Sequence, residues 1–234
     1  MSAAITEPSL ALRRSRARRV AGLYAVTPDV ADTARLVSVV EAALAGGASA
    51  VQYRNKSADD ALRARQAAAL ARVHAARGAL FIVNDDPRLA AQVGADGVHV
   101  GENDGAIEAA RELVGPDRIV GASCYDDLEL ARKAVVAGAD YVAFGSFFPS
   151  PTKPTARKAS TALLEPARML GVPIVAIGGI DAENARGLAC MGADAVAVIS
   201  AVFDHEDPFD IERAARAIAA CFPRAMPGGR VHHA

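Results

Sequence analysis

Eight short apolar runs recur along the chain, and segments of helix length separate most of them. Each run is continuous rather than alternating in polarity, which is typical of strands that are covered on both faces. The intervening segments, such as 32–47 and 59–78, carry apolar residues at i, i+3 and i+4 spacing and end near glycine, as amphipathic helices do. Such an alternation restricts the chain to a largely parallel sheet with helices packed outside it. The predicted strands are residues 22–28, 48–54, 80–85, 97–100, 119–124, 141–146, 173–179 and 195–200.

Four phrases, GGASAVQ, VGADGVHV, AGADYVAFG and MGADAVAVIS, each place a helix-ending glycine just before a predicted strand. The 234 residues suit a single domain. We therefore predict one (β/α)8 TIM barrel over residues 21–222, with a small helix between the third and fourth strands, where the connection is short. An open Rossmann-type sheet is the alternative, but no GxGxxG sequence opens the first unit.

The composition argues against two kinds of partner. A net charge of -1 gives no global field that would attract nucleic acid or an anionic membrane, and the apolar runs are too short to span a bilayer. The three cysteines lack CxxC spacing, which indicates reduced thiols in a cytoplasmic protein. We expect small-molecule partners, and a homo-oligomer stays open.

The two ends of the chain differ from its middle. Residues 1–20 hold five arginines without apolar periodicity, and we expect a disordered basic arm there. A cleaved organellar presequence is the alternative, but the segment is short for one. Residues 223–234 are expected to form a flexible tail.

Polar, charged or glycine residues follow most of the predicted strands. In a parallel barrel these strand ends meet at one face, where such enzymes keep their active sites. Gly178 and Gly179 end the seventh predicted strand and Ser200 ends the eighth, the two positions at which barrels often bind phosphate through backbone N–H groups. A tight turn is the alternative interpretation of the glycine pair.

Two carboxylates are candidate metal ligands. Asp85 ends the third predicted strand and Asp104 follows the fourth, so both should flank one cation. Oxygen ligands with few protein contacts suit Mg²⁺, which takes its remaining ligands from water and substrate phosphate. Asp86 fits a helix cap better, because NDDP precedes a predicted helix.

Three cations, Arg54, Lys56 and Lys153, fall at the same rim, although each alone fits a solvated surface charge. Together they would neutralise a leaving pyrophosphate. Gln52 should point inward and hydrogen-bond a polar ring. His99 and Cys124 are interpreted as packing residues, as are Phe147 and Phe148, for which lining a heterocycle pocket is the alternative.

These segments together resemble the thiamine phosphate synthase family from about Gly22 to Val202. The motifs are QYRNK (52–56), NDD (84–86), GVHVGEND (97–104), GSFFPSPTK (145–153) and AIGGI (176–180). Each is weak alone, but their order and spacing are specific. The chain departs from the family pattern at Glu102, Asn103 and Ser150.

The resemblance implies a magnesium-dependent TIM-barrel transferase that joins hydroxymethylpyrimidine pyrophosphate to thiazole phosphate and releases pyrophosphate. It assigns the aminopyrimidine to Gln52 and the metal to Asp85 and Asp104. Ser123 would position the pyrophosphate or the pyrimidine. The implied pyrophosphate ligands are Arg54, Lys56, Asn84 and Lys153, and the implied thiazole phosphate ligands are Thr152, Gly179, Ile199 and Ser200. Ser150 and Gly178 are further expected substrate contacts. The expected catalytic residues are Arg54, Lys56, Ser123 and Lys153.

The expected chemistry is a dissociative substitution through a pyrimidine carbocation, in which the protein supplies positioning and charge neutralisation. Two alternatives stay open. A thiazole tautomerase on the same barrel uses a histidine after the fifth strand, where this chain has Ser123-Cys124-Tyr125. A non-catalytic phosphate-ligand binder would have no need for the metal carboxylates.

Overall fold

The computed structural model describes residues 7–101, 107–149 and 157–222, and within them eight parallel strands close into a barrel. Each strand pairs with its neighbours in sequence, and β1 pairs with β8. The prediction of a single (β/α)8 barrel is confirmed. The strands are β1 (Gly22–Val26), β2 (Ala50–Tyr53), β3 (Leu80–Asn84), β4 (Gly97–Val100), β5 (Ile119–Tyr125), β6 (Tyr141–Gly145), β7 (Ile174–Ile177) and β8 (Ala195–Val198).

Helices surround this barrel. As expected, the helix between β3 and β4 is short, with 6 residues. Between β6 and β7 the chain forms two 3₁₀ turns, Thr161–Leu163 and Arg168–Leu170, on either side of a short helix. The helices are α1 (Glu7–Ala17), α2 (Thr33–Ala45), α3 (Asp60–Arg77), α4 (Pro87–Gln92), α5 (Ile107–Val114), α6 (Leu128–Val136), α7 (Leu164–Ala167), α8 (Ala185–Cys190), α9 (Ser200–Phe203) and α10 (Pro208–Ala219).

Aspartates at the helix starts explain where several helices begin. The carboxylate of Asp32 accepts from the backbone N–H of Ala34 at 2.8 Å, and that of Asp59 accepts from Leu62 at 2.7 Å. Each bond satisfies an N–H group that has no partner within its helix. Helix α3 then ends at Gly78, whose φ of 71° is costly for other residues.

Alternate residues of each strand face opposite sides of the barrel wall. In β1, Leu23 and Ala25 pack into the layer between strands and helices, whereas Tyr24 and Val26 belong to a second cluster inside the barrel. Both sides are therefore buried, which accounts for the continuous apolar runs of the sequence.

The aspartates of the Gly-Ala-Asp phrases have a role beyond the helix stop. Each precedes an even-numbered strand and accepts a hydrogen bond from a backbone N–H of the strand before it: Asp96 from Phe81 at 2.9 Å, Asp140 from Val120 at 2.8 Å and Asp194 from Ile174 at 2.8 Å. These bonds join neighbouring strands at the amino-terminal end of the barrel, opposite the predicted site.

Part of the N-terminal segment differs from the expected disordered arm, because Glu7–Ala17 form helix α1. Residues 1–6 of that arm and the expected tail, 223–234, lie outside the described part of the chain. Arg13 is 9% exposed and its Nε lies 2.8 Å from Asp140 Oδ1, while Arg16 Nε lies 3.7 Å from Asp96 Oδ1. Val20, just after the helix, is buried in the inner cluster. The ion pairs of Arg13 and Arg16 and the burial of Val20 hold this helix against the amino-terminal end of the barrel.

Candidate active site

A cavity of about 430 Å³ opens at the carboxyl ends of the strands. Eight of the site residues predicted from the sequence line this cavity. They belong to different strands and to the segments that follow those strands. The fold thus brings together segments that are distant in sequence. The eight residues are Gln52, Arg54, Asn84, Ser123, Gly178, Gly179, Ile199 and Ser200.

The other nominated residues fall into two groups. Lys56 is exposed and Asp85 half-buried, and neither contributes to the cavity wall. Asp104, Ser150, Thr152 and Lys153 lie outside the described residues, so their proposed roles stay predictions.

Arg54 is held at the rim by the segment that follows β1. Its guanidinium lies 3.3 Å from Asp29 Oδ1, and the same carboxylate oxygen accepts from the backbone N–H of Lys56 at 3.1 Å. The backbone of Arg54 is also bonded to the buried Thr27 hydroxyl. These contacts fix the Arg54 guanidinium beside the cavity as a positive charge for an anionic ligand.

Three adjacent polar residues at the end of β3 have different environments. Asn84 lines the cavity and donates through its side-chain amide to the Asp85 carboxylate. Asp85 has a φ of 61°, a value uncommon outside glycine, and its N–H donates to His99 O at 2.9 Å. The Asp86 carboxylate accepts from Leu89 N at 2.8 Å, which confirms its expected role as a helix cap.

The glycine pair after β7 forms a close-packed turn. Gly178 and Gly179 have φ values of 103° and 62°, and a Cβ on Gly179 would lie 2.3 Å from Pro149 O. Both the conformation and the space therefore require glycine. The Asn184 side-chain amide donates to Gly179 O at 3.1 Å. Beside this turn, Ser200 begins helix α9, which follows the neighbouring strand β8. Backbone and hydroxyl groups are thus available here for an anion.

Phe147 and Phe148 pack against the core as expected, and their backbone N–H groups bond to the β7 end. Phe147 donates to Ile177 O at 3.2 Å and Phe148 to Gly178 O at 3.0 Å. The segment after β6 is therefore anchored beside the glycine turn.

Five side chains from five strands form one hydrogen-bonded series inside the barrel, which we call the interior polar chain. Gln52 Nε2 lies 3.1 Å from Tyr24 Oη, and Tyr24 Oη lies 2.9 Å from Tyr141 Oη. Tyr141 Oη lies 3.0 Å from His99 Nδ1, and His99 Nε2 lies 2.9 Å from Ser123 Oγ. Its two ends, Gln52 and Ser123, are nominated substrate contacts.

Burial sets the protonation states of the residues in the interior polar chain. It raises the pKa of Tyr24 and Tyr141 well above the usual range for tyrosine and lowers the pKa of His99 to about 4. At neutral pH His99 is therefore uncharged, with one nitrogen that donates and one that accepts.

His99 both fills the core, as expected, and contributes to the cavity wall. Its contact with Ser123 brings together a hydroxyl and an imidazole that are far apart in sequence. A pKa of about 4 makes His99 a weak base at neutral pH, and its Nδ1 faces a tyrosine rather than a carboxylate. The pair is therefore poorly suited to nucleophilic catalysis.

Cys124 is buried, as expected for a packing residue. Burial, with the nearby Asp127 charge adding to it, raises the pKa of its thiol to about 12. The thiol is thus protonated at neutral pH and is not activated as a nucleophile.

Sequence reasoning missed several residues of the cavity wall, among them Tyr24, Tyr125 and Arg157. The Arg157 guanidinium carbon lies 5.3 Å from the centroid of the Tyr125 ring, within the range of a cation–π contact. A polar aromatic residue in an otherwise apolar strand was the available signal for Tyr24. For Arg157 it was a basic residue shortly after the Ser-Pro-Thr-Lys segment.

Residues 7–101, 107–149 and 157–222 lack two kinds of feature. No group of three or more His, Cys, Asp or Glu side chains there is arranged to hold a metal ion. No helix in this part of the chain is long and apolar enough to cross a membrane.

The chain is similar to known proteins over most of its length. It is 58% identical over 204 residues to a thiamine-phosphate synthase of Chromobacterium violaceum, covering 87% of this chain and 97% of that one. A thiamine-phosphate synthase of Methylobacillus flagellatus is 56% identical over 188 residues, covering 80% and 90% of the two chains.

A solved structure agrees with these relatives. The thiamine phosphate pyrophosphorylase of Pyrococcus furiosus superposes with a TM-score of 0.77 at 37% identity, covering 87% of this chain and 96% of that one. The family model for thiamine monophosphate synthase matches residues 23–202, which run from β1 into α9. With a match of this extent, the chain belongs to the thiamine monophosphate synthase family and is a transferase.

Proposed function

We propose that the protein joins 4-amino-5-hydroxymethyl-2-methylpyrimidine pyrophosphate to thiazole phosphate and releases pyrophosphate, with Mg²⁺ as cofactor. One observation carries the proposal. A single cavity holds a side-chain amide at Gln52, a fixed cation at Arg54 and the glycine turn at Gly178 and Gly179. These groups suit a polar ring, a pyrophosphate and a second phosphate, which are the three parts of this substrate pair.

The pyrimidine pyrophosphate is assigned to the β2 and β3 side of the cavity. Gln52 would hydrogen-bond the aminopyrimidine edge, since an amide can both donate and accept. Arg54 and Asn84 would bind pyrophosphate oxygens, joined by Lys56 and Lys153. Ser123 would contact the same substrate from β5.

The thiazole phosphate is assigned to the β7 and β8 side. The proposed contacts are the backbone at Gly178, Gly179 and Ile199 and the Ser200 hydroxyl, together with Ser150 and Thr152. A phosphate bound by backbone N–H groups after these two strands is a recurring feature of TIM barrels.

Mg²⁺ prefers oxygen ligands, and the carboxylate of Asp85 is the proposed first ligand. Asp104 is the proposed second ligand. Mg²⁺ commonly uses one or two carboxylates with water and substrate phosphate, so it needs no larger cluster of protein ligands. When bound, the ion would neutralise negative charge on the departing pyrophosphate.

The proposed step is dissociative: the pyrimidine C–O bond breaks to give a ring-stabilised carbocation, which the thiazole nitrogen captures. The chain's contribution is to orient both substrates and to hold cations beside the leaving group. No protein nucleophile is required, which agrees with the protonated thiol of Cys124 and the weak basicity of His99.

A thiazole tautomerase is the alternative on the same barrel. That reaction moves a proton, and the imidazole that reaches the β5 end here is His99, whose pKa is lowered to about 4 by burial. Such a group carries a proton poorly near neutral pH. A non-catalytic phosphate binder would not require the metal carboxylates.

The test is an assay of thiamine phosphate and pyrophosphate formation from both substrates, with and without Mg²⁺. We expect equal amounts of the two products, dependent on both substrates and on the ion. Folded protein that forms no thiamine phosphate would refute the proposal. Turnover of a thiazole tautomer alone would identify the tautomerase instead.

A further inference from the structure

The interior polar chain is unusual for the inside of a barrel, which apolar side chains normally fill. Its tyrosines are fully buried, and Gly121 makes room for one of them: a Cβ there would lie 2.0 Å from the Tyr141 ring. A buried series of this length is stable only if every hydrogen has an acceptor. The number of proton arrangements is therefore small.

One arrangement follows from the Gln52 amide as placed. Its Nε2–H donates to Tyr24 Oη, so the Tyr24 hydrogen must go to Tyr141 Oη. The Tyr141 hydrogen then goes to His99 Nδ1, and the single imidazole hydrogen must lie on Nε2. His99 Nε2–H donates to Ser123 Oγ, and the hydrogen of Ser123 is left free for a ligand.

Rotating the Gln52 amide by half a turn reverses every bond. The amide oxygen would accept from Tyr24, Tyr24 would accept from Tyr141, and the imidazole hydrogen would move to Nδ1. Ser123 would then donate its only hydrogen to His99 and would offer lone pairs to a ligand. The orientation of Gln52 and the polarity of Ser123 are thus linked through Tyr24, Tyr141 and His99.

The two arrangements recognise different ligands. In the first, Gln52 presents its oxygen and its second N–H, which match the amino group and the ring nitrogen of a 4-aminopyrimidine. A 4-oxopyrimidine has the opposite pattern, a carbonyl beside a ring N–H. At the other end, the free Ser123 hydrogen suits an anionic oxygen, which only accepts.

We propose that Tyr24, Tyr141 and His99 are positioning residues that hold the Gln52 amide in the orientation selective for an aminopyrimidine and, through the same bonds, make Ser123 a donor to the substrate's phosphate. This inference rests on the proposed function, because it takes the pyrimidine to lie at Gln52. It adds that selectivity for the ring is set by residues that need not touch its edge.

The experiment uses calorimetry to measure the dissociation constants of two compounds. One is the monophosphate of 4-amino-5-hydroxymethyl-2-methylpyrimidine, and the other is the same monophosphate with a 4-oxo group in place of the 4-amino group. Both carry the same phosphate, so their ratio reports only the ring edge. The variants are Tyr24→Phe and Tyr141→Phe, with Ser123→Ala, which removes the far end of the chain. The control is Tyr53→Phe, because Tyr53 is a buried tyrosine whose hydroxyl bonds to Gln66, outside the interior polar chain.

We expect the wild type to prefer the amino compound and each of the three variants to reduce that preference by about tenfold, the effect of one hydrogen bond. Tyr53→Phe should keep the wild-type ratio. Wild-type ratios in all three variants would overturn the inference. Should a tyrosine variant not fold, as judged by its thermal melt, the Ser123→Ala ratio decides.

A second measurement reports the proton arrangement of the interior polar chain directly. In ¹⁵N NMR of the wild type with the amino compound bound, the imidazole of His99 should carry its hydrogen on Nε2; the signal is assigned by its loss in His99→Gln. A hydrogen on Nδ1 would overturn the inference. Failure of the proposed function is distinguished by the wild-type turnover assay, since an active enzyme with unaltered ratios refutes the positioning chain alone.

Discussion

Thr27 and Arg54 exchange two hydrogen bonds between the ends of β1 and β2. The backbone N–H of Arg54 donates to Thr27 Oγ1 at 2.9 Å, and the Thr27 hydroxyl donates to Arg54 O at 2.8 Å. Thr27 is fully buried, so no water replaces these bonds if the hydroxyl is removed. The contact fixes the backbone that carries a cation of the cavity.

Thr27→Val should therefore lower the free energy of unfolding by about 1–3 kcal/mol, because it leaves a buried N–H and C=O without a partner. It should also raise the KM for the pyrimidine pyrophosphate, since the Arg54 guanidinium would be less well placed. Urea unfolding and steady-state kinetics measure the two effects. Thr27→Ser keeps the hydroxyl and should stay near wild type; equal loss in both variants would contradict the explanation.

The proposed Mg²⁺ site can be tested with two adjacent aspartates. Asp85→Asn removes an anionic ligand and should raise the Mg²⁺ concentration needed for half-maximal rate at least tenfold. Asp86→Asn is the matched control, because Asp86 caps α4 and asparagine caps a helix equally well. Asp104→Asn should behave like Asp85→Asn. Identical Mg²⁺ titrations for Asp85→Asn and Asp86→Asn would place the ion elsewhere.

His99 should make the fold sensitive to mild acid. Its pKa in the folded state, about 4, lies below the value near 6.5 expected for an unfolded chain, so below pH 6.5 the unfolded state binds the proton first. The contribution of uncharged His99 to the free energy of unfolding is therefore complete above pH 6.5. It is lost as the pH falls through 6.5 towards 4. The full loss is on the order of 3 kcal/mol.

This pH dependence is measured as the difference in unfolding free energy between wild type and His99→Gln from pH 7.5 to 4.5. Burial also lowers the pKa of His74, but that residue is present in both proteins and its effect cancels. The stability advantage of the wild type should shrink as the pH falls. A constant difference across the range would show that His99 titrates alike in both states.

The barrel was predictable because its cause is local. A strand buried on both sides must be apolar throughout, and β4 was located at Gly97–Val100 as predicted. Boundaries were less accurate near the site: residues 195–200 were predicted for β8, which ends at Val198. There the chain leaves the sheet to form the cavity wall, and the apolar pattern that marks a strand ends.

Features that depend on pairs of distant residues were not predictable. The arginines of α1 look solvated in sequence because nothing nearby pairs with them, yet Arg13 meets Asp140 across the barrel end. The interior polar chain likewise draws Tyr24 and Tyr141 from different strands, and only closure of the barrel brings their hydroxyls together. Motif reasoning found the residues at strand ends and missed those that connect them.

Arg157 is expected to bind a substrate phosphate. It lines the cavity, stacks over Tyr125, and has no ion pair with any carboxylate among the described residues. A guanidinium without a carboxylate partner at a phosphate cavity is available for charge-assisted hydrogen bonds. Arg157→Gln should lower kcat/KM by about 100-fold or more, as removal of a charge-stabilising donor does in other enzymes.

The matched control for this prediction is Lys158→Gln, which makes the same change in charge at the next residue. Lys158 is exposed and does not contribute to the cavity wall, so the variant should keep near-wild-type kcat/KM. Arg157→Lys should recover only part of the rate, because an ammonium cannot reproduce a bidentate contact or stack on the ring equally well. Equal effects of the Arg157→Gln and Lys158→Gln changes would mean that the general positive charge of the rim, rather than Arg157 itself, acts on the substrate.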